Sequence, residues 1–261
     1  MHGLFCSRGP RDGHGDDIER PAALRTVPLK PGDPAAVEQL FNAVAPRYDR
    51  LNDLLSLGLH RHWKRQMLVW LQPRPGERWL DLCCGTGDLA LALARRLRPG
   101  GEVLGLDAAA APLRRAQERA SREPWLPVRW QQGDALATGL PPAALDGAVM
   151  AYGLRNLEDP AAGLRELQRV LKPGARAAVL DFNRQPPGSA AEAFQRAYLR
   201  RLVVPAAAMA GLRDQYAYLE ASLERFATGP AQEQMALAAG FLEAHHRPLA
   251  GGQMGLLLMK K

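Results

Sequence analysis

The sequence predicts an α/β fold with a mostly parallel sheet and helices on both of its faces. Short hydrophobic runs alternate along the chain with longer segments whose apolar residues recur at helical spacing, which is typical of βα repeats. A Gly-x-Gly turn directly follows the first hydrophobic run, and the second run ends in an acid, Asp107. Ligands of such folds bind outside the carboxyl ends of the strands, so we expect the functional site there.

The strands and the helices between them follow from the same pattern. The helix before the fifth strand has the clearest predicted limits: Asp159 caps it, Pro160 occupies its first turn, Leu171 lies on its buried face, and Pro173-Gly174 stops it. The predicted strands cover residues 78–82, 102–107, 128–132, 145–151 and 175–181.

The turn after the first strand has the sequence Asp81-Leu-Cys-Cys-Gly-Thr-Gly-Asp-Leu-Ala90. Glycines at Gly85 and Gly87 let the backbone turn sharply and let a ligand approach where a Cβ would clash. This pattern alone fits either a dinucleotide dehydrogenase or an S-adenosylmethionine (SAM) methyltransferase. Asp81 favours the methyltransferase, because a carboxylate there would attract the cationic amino-acid end of SAM and would repel a pyrophosphate.

Acids after the second and third strands complete a predicted nucleoside site. Asp107 can accept hydrogen bonds from a ribose diol. Asp134 can accept one from the adenine amino group while the Ala135 amide donates to the ring, although capping of the next helix is an alternative role for Asp134. The predicted cofactor-binding residues are Asp81, Gly85, Thr86, Gly87, Asp107, Ala108, Asp134, Ala135 and Ala151.

Composition limits the class of protein. A chain of 261 residues with 47% apolar residues can fill the core of one α/β domain. Its 3 cysteines lack the spacing of a disulfide framework or a zinc site, so we expect a cytoplasmic protein without a bound metal. The most apolar run, residues 202–212, contains Pro205 and falls short of the ~20 residues that cross a bilayer.

Residues 1–35 differ from the rest, because glycine, proline, arginine and aspartate mix there without a period. We expect this segment to be disordered or loosely attached, and its acids argue against a transit peptide. No linker, repeat or low-complexity tract follows it. We therefore predict a single domain over residues 36–261.

Residues 75–183 resemble the class I SAM-dependent methyltransferases through the motifs above. The flanking segments Val-Ala-Pro-Arg-Tyr-Asp at 44–49 and Gly-Leu-Arg-Asn at 153–156 resemble signatures of the quinone C-methyltransferase family that acts on demethylmenaquinol and on the ubiquinone precursor. Segments 215–226 and 250–255 are most similar to its cyanobacterial branch, which methylates 2-phytyl-1,4-naphthoquinol to phylloquinol. The family resemblance extends over residues 36–261.

This resemblance implies a Rossmann-like class I methyltransferase fold with a seven-stranded sheet, whose last two strands fall near 244–248 and 254–259. It also implies N-terminal helices and a lid after the fifth strand. Two positions depart from the family pattern. Ala151 stands where many members have serine, which leaves only backbone contacts there, and Glu220 stands where proline is usual.

The reaction implied is methylation of a ring carbon of a quinol by SAM, because the oxidised quinone is too electron-poor to attack a methyl group. Arg155 and Asn156 follow the fourth strand, and we expect Arg155 to pair with a phenolic oxygen; a loop-anchoring salt bridge is the alternative. Arginine stays protonated, so water or a neighbour takes the proton. The candidates for the neighbour that takes the proton are Asp53, Tyr48 and Tyr216, in no order of preference. For Tyr48 the alternative role is packing of its helix.

A lipophilic quinol also requires an apolar channel. The apolar stretches at 40–70 and 202–209 would form a lid and a tail groove, or else pack in the core. The basic run at 60–65, with Arg196, Arg200 and Arg201, would rest transiently on anionic lipid at the inner face of a membrane, or else form a solvated surface. The sequence leaves open whether the chain is a monomer or a homodimer.

Other functions are weighed against this one. A formal net charge of +7 suits nucleic-acid binding. The segment after the fourth strand nevertheless lacks the Asn- or Asp-Pro-Pro-aromatic motif of base-amine methyltransferases, and there is no cysteine placed for cytosine methylation, so we expect no nucleic-acid partner. A binding module without catalysis stays open because of Ala151 and Glu220. Demethylmenaquinol and the ubiquinone precursor stay open as alternative substrates.

Overall fold

The structure is a computed structural model, which describes residues 32–44, 58–203, 205 and 213–261. Its strands are β1 (Arg78–Leu82), β2 (Glu102–Asp107), β3 (Val128–Gln132), β4 (Leu145–Ala151), β5 (Leu171–Phe182), β6 (Glu243–Leu249) and β7 (Met254–Lys260). They form one seven-stranded sheet in the order β3-β2-β1-β4-β5-β7-β6. Within this described sheet β7 pairs antiparallel with both β5 and β6, and all the other neighbouring strands pair parallel. The predicted α/β class, the sheet and its final strand pair are confirmed.

Helices cover both faces of the sheet, as predicted. They are α1 (Pro34–Val44), α2 (His60–Leu71), α3 (Asp88–Arg96), α4 (Ala110–Ala120), α5 (Pro160–Val170), α6 (Ala190–Tyr198), α7 (Arg213–Arg225) and α8 (Gly229–Ala238). Successive residues of a strand point to opposite faces. Trp79 of β1 therefore packs with α2 and α3 on one face, whereas Leu80 packs with α5 and α8 on the other.

The limits of α5 and β5 differ in part from the prediction. Asp159 caps α5 as expected, since its Oδ1 accepts a hydrogen bond from Ala162 N at 3.0 Å. The prediction that Pro173-Gly174 stops this helix is wrong, because the helix ends at Val170. Leu171 already belongs to β5 and pairs with Leu145. The next pair is Gly147 with Arg176, so the register shifts there and the extra residues, which include Pro173-Gly174, lie on β5. Pairing with a neighbouring strand decides this boundary.

Two predicted segments remain predictions. Residues 1–31 lie outside the described residues, so the proposed loose segment at 1–35 has no structural counterpart here, although α1 begins at Pro34. After β5 the chain forms α6 and a π-helical turn (Leu199–Val203), and residues 206–212 lie outside the described part. The predicted lid falls on this stretch.

The junction between β1 and α3 depends on a buried carboxylate. Asp81 is 1% exposed, and its Oδ2 accepts a hydrogen bond from Ala90 N at 2.8 Å. This bond ties the strand to the first turn of the helix that follows the glycine turn. Burial raises the pKa of Asp81 to about 7, although the Lys64 ammonium and the Ala90 amide oppose the shift.

Replacing this carboxylate should change how stability depends on pH. The folded-state pKa of about 7 lies above the ordinary value of 3.8, so the folded protein binds the proton more tightly than the unfolded chain. The Asp81 contribution to the free energy of unfolding therefore falls as pH rises between these values, by on the order of 4 kcal/mol. In Asp81→Asn, which keeps an acceptor for Ala90 N, denaturant unfolding should show a flatter pH profile in this window.

A carboxylate with the opposite shift provides the control. In Asp146, burial acts to raise the pKa of the carboxyl group, but hydrogen bonds from Lys172 and from Arg78 N outweigh burial and lower it. Asp146→Asn should therefore shift the stability curve without changing its slope in the same window. Parallel profiles for the wild type and Asp81→Asn would contradict the account of Asp81.

Candidate active site

A cavity of about 420 Å³ opens at the carboxyl ends of the parallel strands. The segments that follow β1, β2, β3 and β4 form its wall together with α1. The structure brings six of the predicted cofactor-binding residues together in this wall: Gly85, Asp107, Ala108, Asp134, Ala135 and Ala151. Asp81, Thr86 and Gly87 lie outside the wall.

Asp107 occupies the centre of this arrangement, at the end of β2. Its Oδ2 accepts a hydrogen bond from Gly85 N at 2.8 Å, and its Oδ1 accepts one from Ala109 N at 2.9 Å. Burial raises the pKa of Asp107, although these amides oppose the shift. Because a carboxylate has about four acceptor positions, Asp107 can still accept two hydrogen bonds from a diol in the cavity.

The glycine turn is shaped as much by packing as by access for a ligand. Gly85 has a φ of 54° and lines the cavity. Gly87 has a φ of 81°, and a Cβ there would lie 2.5 Å from Cη2 of Trp130. Behind the turn, Arg119 Nη1 donates to the Thr86 carbonyl at 2.9 Å and to its hydroxyl at 3.1 Å. The structural reason for a glycine at 87 is therefore its backbone angle and Trp130.

The segment after β3 contradicts the helix-capping role considered for Asp134, because the described chain forms no helix between β3 and β4, and the contact with adenine stays a prediction. Its Oδ1 accepts a hydrogen bond from Leu136 N at 2.8 Å, which shapes the local turn. The exposed side chain also lines the cavity beside Gly133 and the buried Ala135. A local turn and a cavity-facing acid are compatible here, since a carboxylate has a second oxygen.

The loop after β4 closes the opposite side of the cavity. Tyr152 has a φ of 63°, which turns its carbonyl so that it accepts hydrogen bonds from Arg155 Nη1 at 3.1 Å and from Asn156 Nδ2 at 2.8 Å. Gly153 has no room for a side chain, because a Cβ there would lie 2.7 Å from Cβ of Cys83. The loops after β1 and β4 therefore pack directly against each other.

Arg155 is a buried structural contact of this loop. Its guanidinium forms an ion pair with Asp181 at the end of β5, and its backbone N–H donates to Asp181 Oδ2 at 3.2 Å. The guanidinium carbon lies 5.2 Å from the centroid of the Phe182 ring. Arg155 does not line the cavity. The structure therefore shows the loop-anchoring salt bridge, and contact with a phenolic oxygen stays a prediction.

Asn156 does line the cavity, and a tyrosine that we did not predict holds it there. Tyr218 of α7 donates its hydroxyl to Asn156 Oδ1 at 3.0 Å. Burial raises the pKa of Tyr218. Sequence reasoning missed Tyr218 and Asp181. The signal for Tyr218 was its position two residues after Tyr216, and the signal for Asp181 was its place at the end of the fifth predicted strand.

The three candidate proton acceptors stay predictions. Tyr48 and Asp53 lie outside the described residues, and for Tyr216 on α7 only the backbone is described. Of the predicted tail groove, Trp63 and Met67 are buried in the hydrophobic cluster around Trp79. These two side chains pack in the core; the remainder of the groove stays a prediction.

The cavity wall has a negative potential, because its described lining contains four carboxylates, Glu38, Asp107, Asp134 and Glu158, and no basic side chain. Burial raises the pKa of the Cys83 thiol well above its usual value, and four carboxylates add to that shift: Asp107, Asp81, Asp181 and Asp134. A field of this sign stabilises a cationic ligand.

Residues 32–44, 58–203, 205 and 213–261 contain no group of three or more histidine, cysteine, aspartate or glutamate side chains placed to hold a metal ion. None of the helices in this part of the chain combines the length and the apolarity required to span a bilayer.

Solved structures of SAM-dependent methyltransferases share the architecture. One from Aquifex aeolicus has a TM-score of 0.58 at 17% identity and covers 87% of this chain and 98% of its own. Another from Thermotoga maritima has a TM-score of 0.60 at 18% identity and covers 85% of this chain and 99% of its own. At this identity the likeness shows the fold, which is the class I methyltransferase fold.

Relatives of known name align over most of the chain. The 2-phytyl-1,4-naphthoquinone methyltransferase of Synechococcus elongatus is 50% identical over 228 residues, 87% of this chain and 97% of the relative. Its namesake from Synechocystis is 48% identical over 87% of this chain and 95% of the relative. The chloroplastic enzyme of Arabidopsis thaliana is 41% identical over 84% of this chain and 85% of the relative. The model of the ubiE/COQ5 methyltransferase family matches residues 30–260, and the chain belongs to that family.

Proposed function

We propose that this chain transfers the methyl group of SAM to the ring of 2-phytyl-1,4-naphthoquinol, the last step in forming phylloquinone. The observation that carries the proposal is the cavity in which Asp107, Asp134 and the turn at Gly85 meet. Relatives at 41% to 50% identity named for this naphthoquinone support the choice of substrate.

The proposed position of SAM follows from the chemistry of the cavity wall. Asp107 accepts hydrogen bonds from both ribose hydroxyls, and Asp134 accepts one from the adenine amino group, beside the Ala135 amide. The methionyl part lies along the turn at Gly85 and the backbone of Ala151. The carboxylates of the cavity wall favour the sulfonium and the ammonium group of SAM. A volume of about 420 Å³ is in the range of small-molecule sites.

In the proposed reaction the ring carbon of the quinol attacks the methyl carbon in line with the departing sulfur. A carbon–carbon bond forms as the sulfur–methyl bond breaks, and S-adenosylhomocysteine leaves with the electron pair. A phenolic proton goes to a base, the ring-carbon proton is lost as aromaticity returns, and the oxygen then regains a proton, so that one proton is released for each methyl group transferred. Holding the two reactants in line can lower the barrier by several kcal/mol.

Arg155 is proposed to act on this reaction by its charge and by its support of the loop. Its side chain donates to the carbonyl of Tyr152, which also accepts from the cavity residue Asn156. Although Asp181 offsets part of its charge, a cation fixed behind this loop stabilises a phenolate that develops in the cavity. Asp53, Tyr48 and Tyr216 remain the proposed candidates for the base.

The lipophilic substrate leads us to propose a cytoplasmic enzyme that contacts the inner face of a membrane transiently. The exposed side chains of Arg61 and Arg65 on α2 support it. Two of the other arginines predicted for this surface are paired: Arg196 pairs with Glu192, and Arg200 pairs with Glu220. Their contribution to a positive surface is therefore smaller than the sequence suggested.

The proposed function is tested by transfer of a labelled methyl group from SAM to chemically reduced 2-phytyl-1,4-naphthoquinol in detergent. Reduced demethylmenaquinol, a reduced ubiquinone precursor and the oxidised phytyl quinone are compared in parallel. We expect the reduced phytyl substrate to have the highest kcat/KM and the oxidised form to give no product. No product from any quinol, with SAM binding intact, would contradict the proposal and favour a binding module.

Asp107 should control the affinity for SAM. Asp107→Asn keeps one oxygen acceptor but removes the charge that strengthens hydrogen bonds to the ribose. The Kd for SAM measured by calorimetry should rise about tenfold to a hundredfold. Asp146→Asn, at the amino end of β4 and away from the cavity, is the matched control and should leave the Kd unchanged. Equal affinity in both variants would contradict the assigned ribose contact.

Arg155 should control turnover rather than SAM binding. Because removing one partner of a buried ion pair is strongly destabilising, the test uses the neutral pair Arg155→Gln/Asp181→Asn beside the single variant Arg155→Lys. We expect kcat to fall at least about tenfold in the neutral pair and to recover in part in Arg155→Lys, with similar SAM affinity in both. Full turnover in a folded neutral pair would show that the charge of Arg155 has no role in the reaction.

A further inference from the structure

A second cavity, of about 560 Å³, lies between α2 and α3 and shares no lining residue with the first. We call it the basic cavity. Its floor is apolar, with Leu68, Leu89 and Leu91 among the residues that form it. Its basic side chains come from α2, α3 and α4: Arg61, Lys64, Arg65, Arg95, Arg96 and Arg119.

The charges in the basic cavity are strongly unbalanced. Among the described residues that line it, Asp88 is the only carboxylate. Asp88 already pairs with Lys64 Nζ at 3.2 Å and with Arg119 Nη2 at 2.5 Å. Burial disfavours its ionised form, but these two cations outweigh burial and lower the pKa of Asp88 to about 2. Asp88 is therefore fully ionised and still neutralises only part of the positive charge.

Two of the arginines have no carboxylate partner within the described part of the chain. Arg65 of α2 and Arg96 of α3 are exposed, and neither forms an ion pair there. Arg95, by contrast, pairs with Glu123. Several guanidinium groups in one concave site with low-dielectric walls concentrate a positive potential, which a multiply charged anion would neutralise.

We propose that the basic cavity binds a phosphate group. Guanidinium groups match phosphate geometry through paired N–H donors, and they lose less hydration than an ammonium group does. An apolar floor under a rim of arginines suits a phosphate that carries an organic chain. The ligand is thus the head group of an anionic phospholipid or a free phosphate compound, and both present the same chemistry to these side chains.

The variants must leave unchanged the basic side chains that also support the glycine turn. Lys64 and Arg119 hold Asp88 at the start of α3, and Arg119 also donates to Thr86. The informative variant is therefore Arg65→Gln/Arg96→Gln. The matched control is Arg74→Gln/Arg114→Gln, which removes the same charge from two exposed arginines outside the basic cavity.

The experiment uses the full chain without SAM, so its outcome is independent of the proposed methyl transfer. Flotation with phosphatidylcholine vesicles, with and without phosphatidylglycerol, tests the lipid source. Calorimetry with glycerol phosphate and with inorganic pyrophosphate tests the free source. We expect the wild type and the control to bind at least one of these anionic probes, and the Arg65→Gln/Arg96→Gln variant to lose at least about tenfold in affinity.

The pattern of binding identifies the source. Binding to anionic vesicles alone assigns the site to a lipid head group, and binding to glycerol phosphate or pyrophosphate assigns it to a free phosphate; either result supports the site. Absence of binding to every probe would overturn the proposal. An equal loss in the two double variants would also overturn it, because binding would then depend on net charge rather than on this cavity.

Discussion

The carboxylate of Asp107 is the contact on which the candidate active site depends. It bonds Gly85 N in the loop after β1 and Ala109 N in the loop after β2, so two neighbouring strand ends are held in one geometry. Parallel pairing of β1 with β2 and β4 brings these loops to the same edge of the sheet. The cavity lies at that edge, where the segments after β1, β2, β3 and β4 meet, and Asp107 ties the first two of them together.

Buried charge gives this edge its electrostatic character. Asp81 and Asp181 lie below the loops and are both buried. Lys64 is the cationic neighbour of Asp81, and Arg155 is that of Asp181. The cavity wall above them is negative because its described lining contains Glu38, Asp107, Asp134 and Glu158 and no basic side chain. SAM carries a sulfonium charge that its demethylated product lacks, so such a wall favours the substrate over the product. The same carboxylates that shape the loops thus suit binding of the donor and release of the product.

The sequence was informative where local chemistry decides the structure. The alternation of hydrophobic runs with helical segments predicted the sheet, and the turn glycines and the acids after β2 and β3 led to six of the residues in the cavity wall. Sequence reasoning failed for side-chain contacts that depend on which strands are neighbours in the sheet. The pair between Arg155 and Asp181 requires β4 to lie beside β5 in one register. The bond from Tyr218 to Asn156 likewise joins residues from distant parts of the chain, and the packing of Trp130 over Gly87 requires knowledge of β3.

The most direct measurement is a crystal structure of the chain with bound S-adenosylhomocysteine. The account predicts that both ribose hydroxyls lie within hydrogen-bond distance of the Asp107 carboxylate, at about 2.5–3.0 Å, with the adenine amino group beside Asp134. It also predicts that the sulfur faces the loop of Asn156. A nucleoside bound outside this cavity, or a ribose without contact to Asp107, would contradict the central claim that these strand ends form the site of methyl transfer.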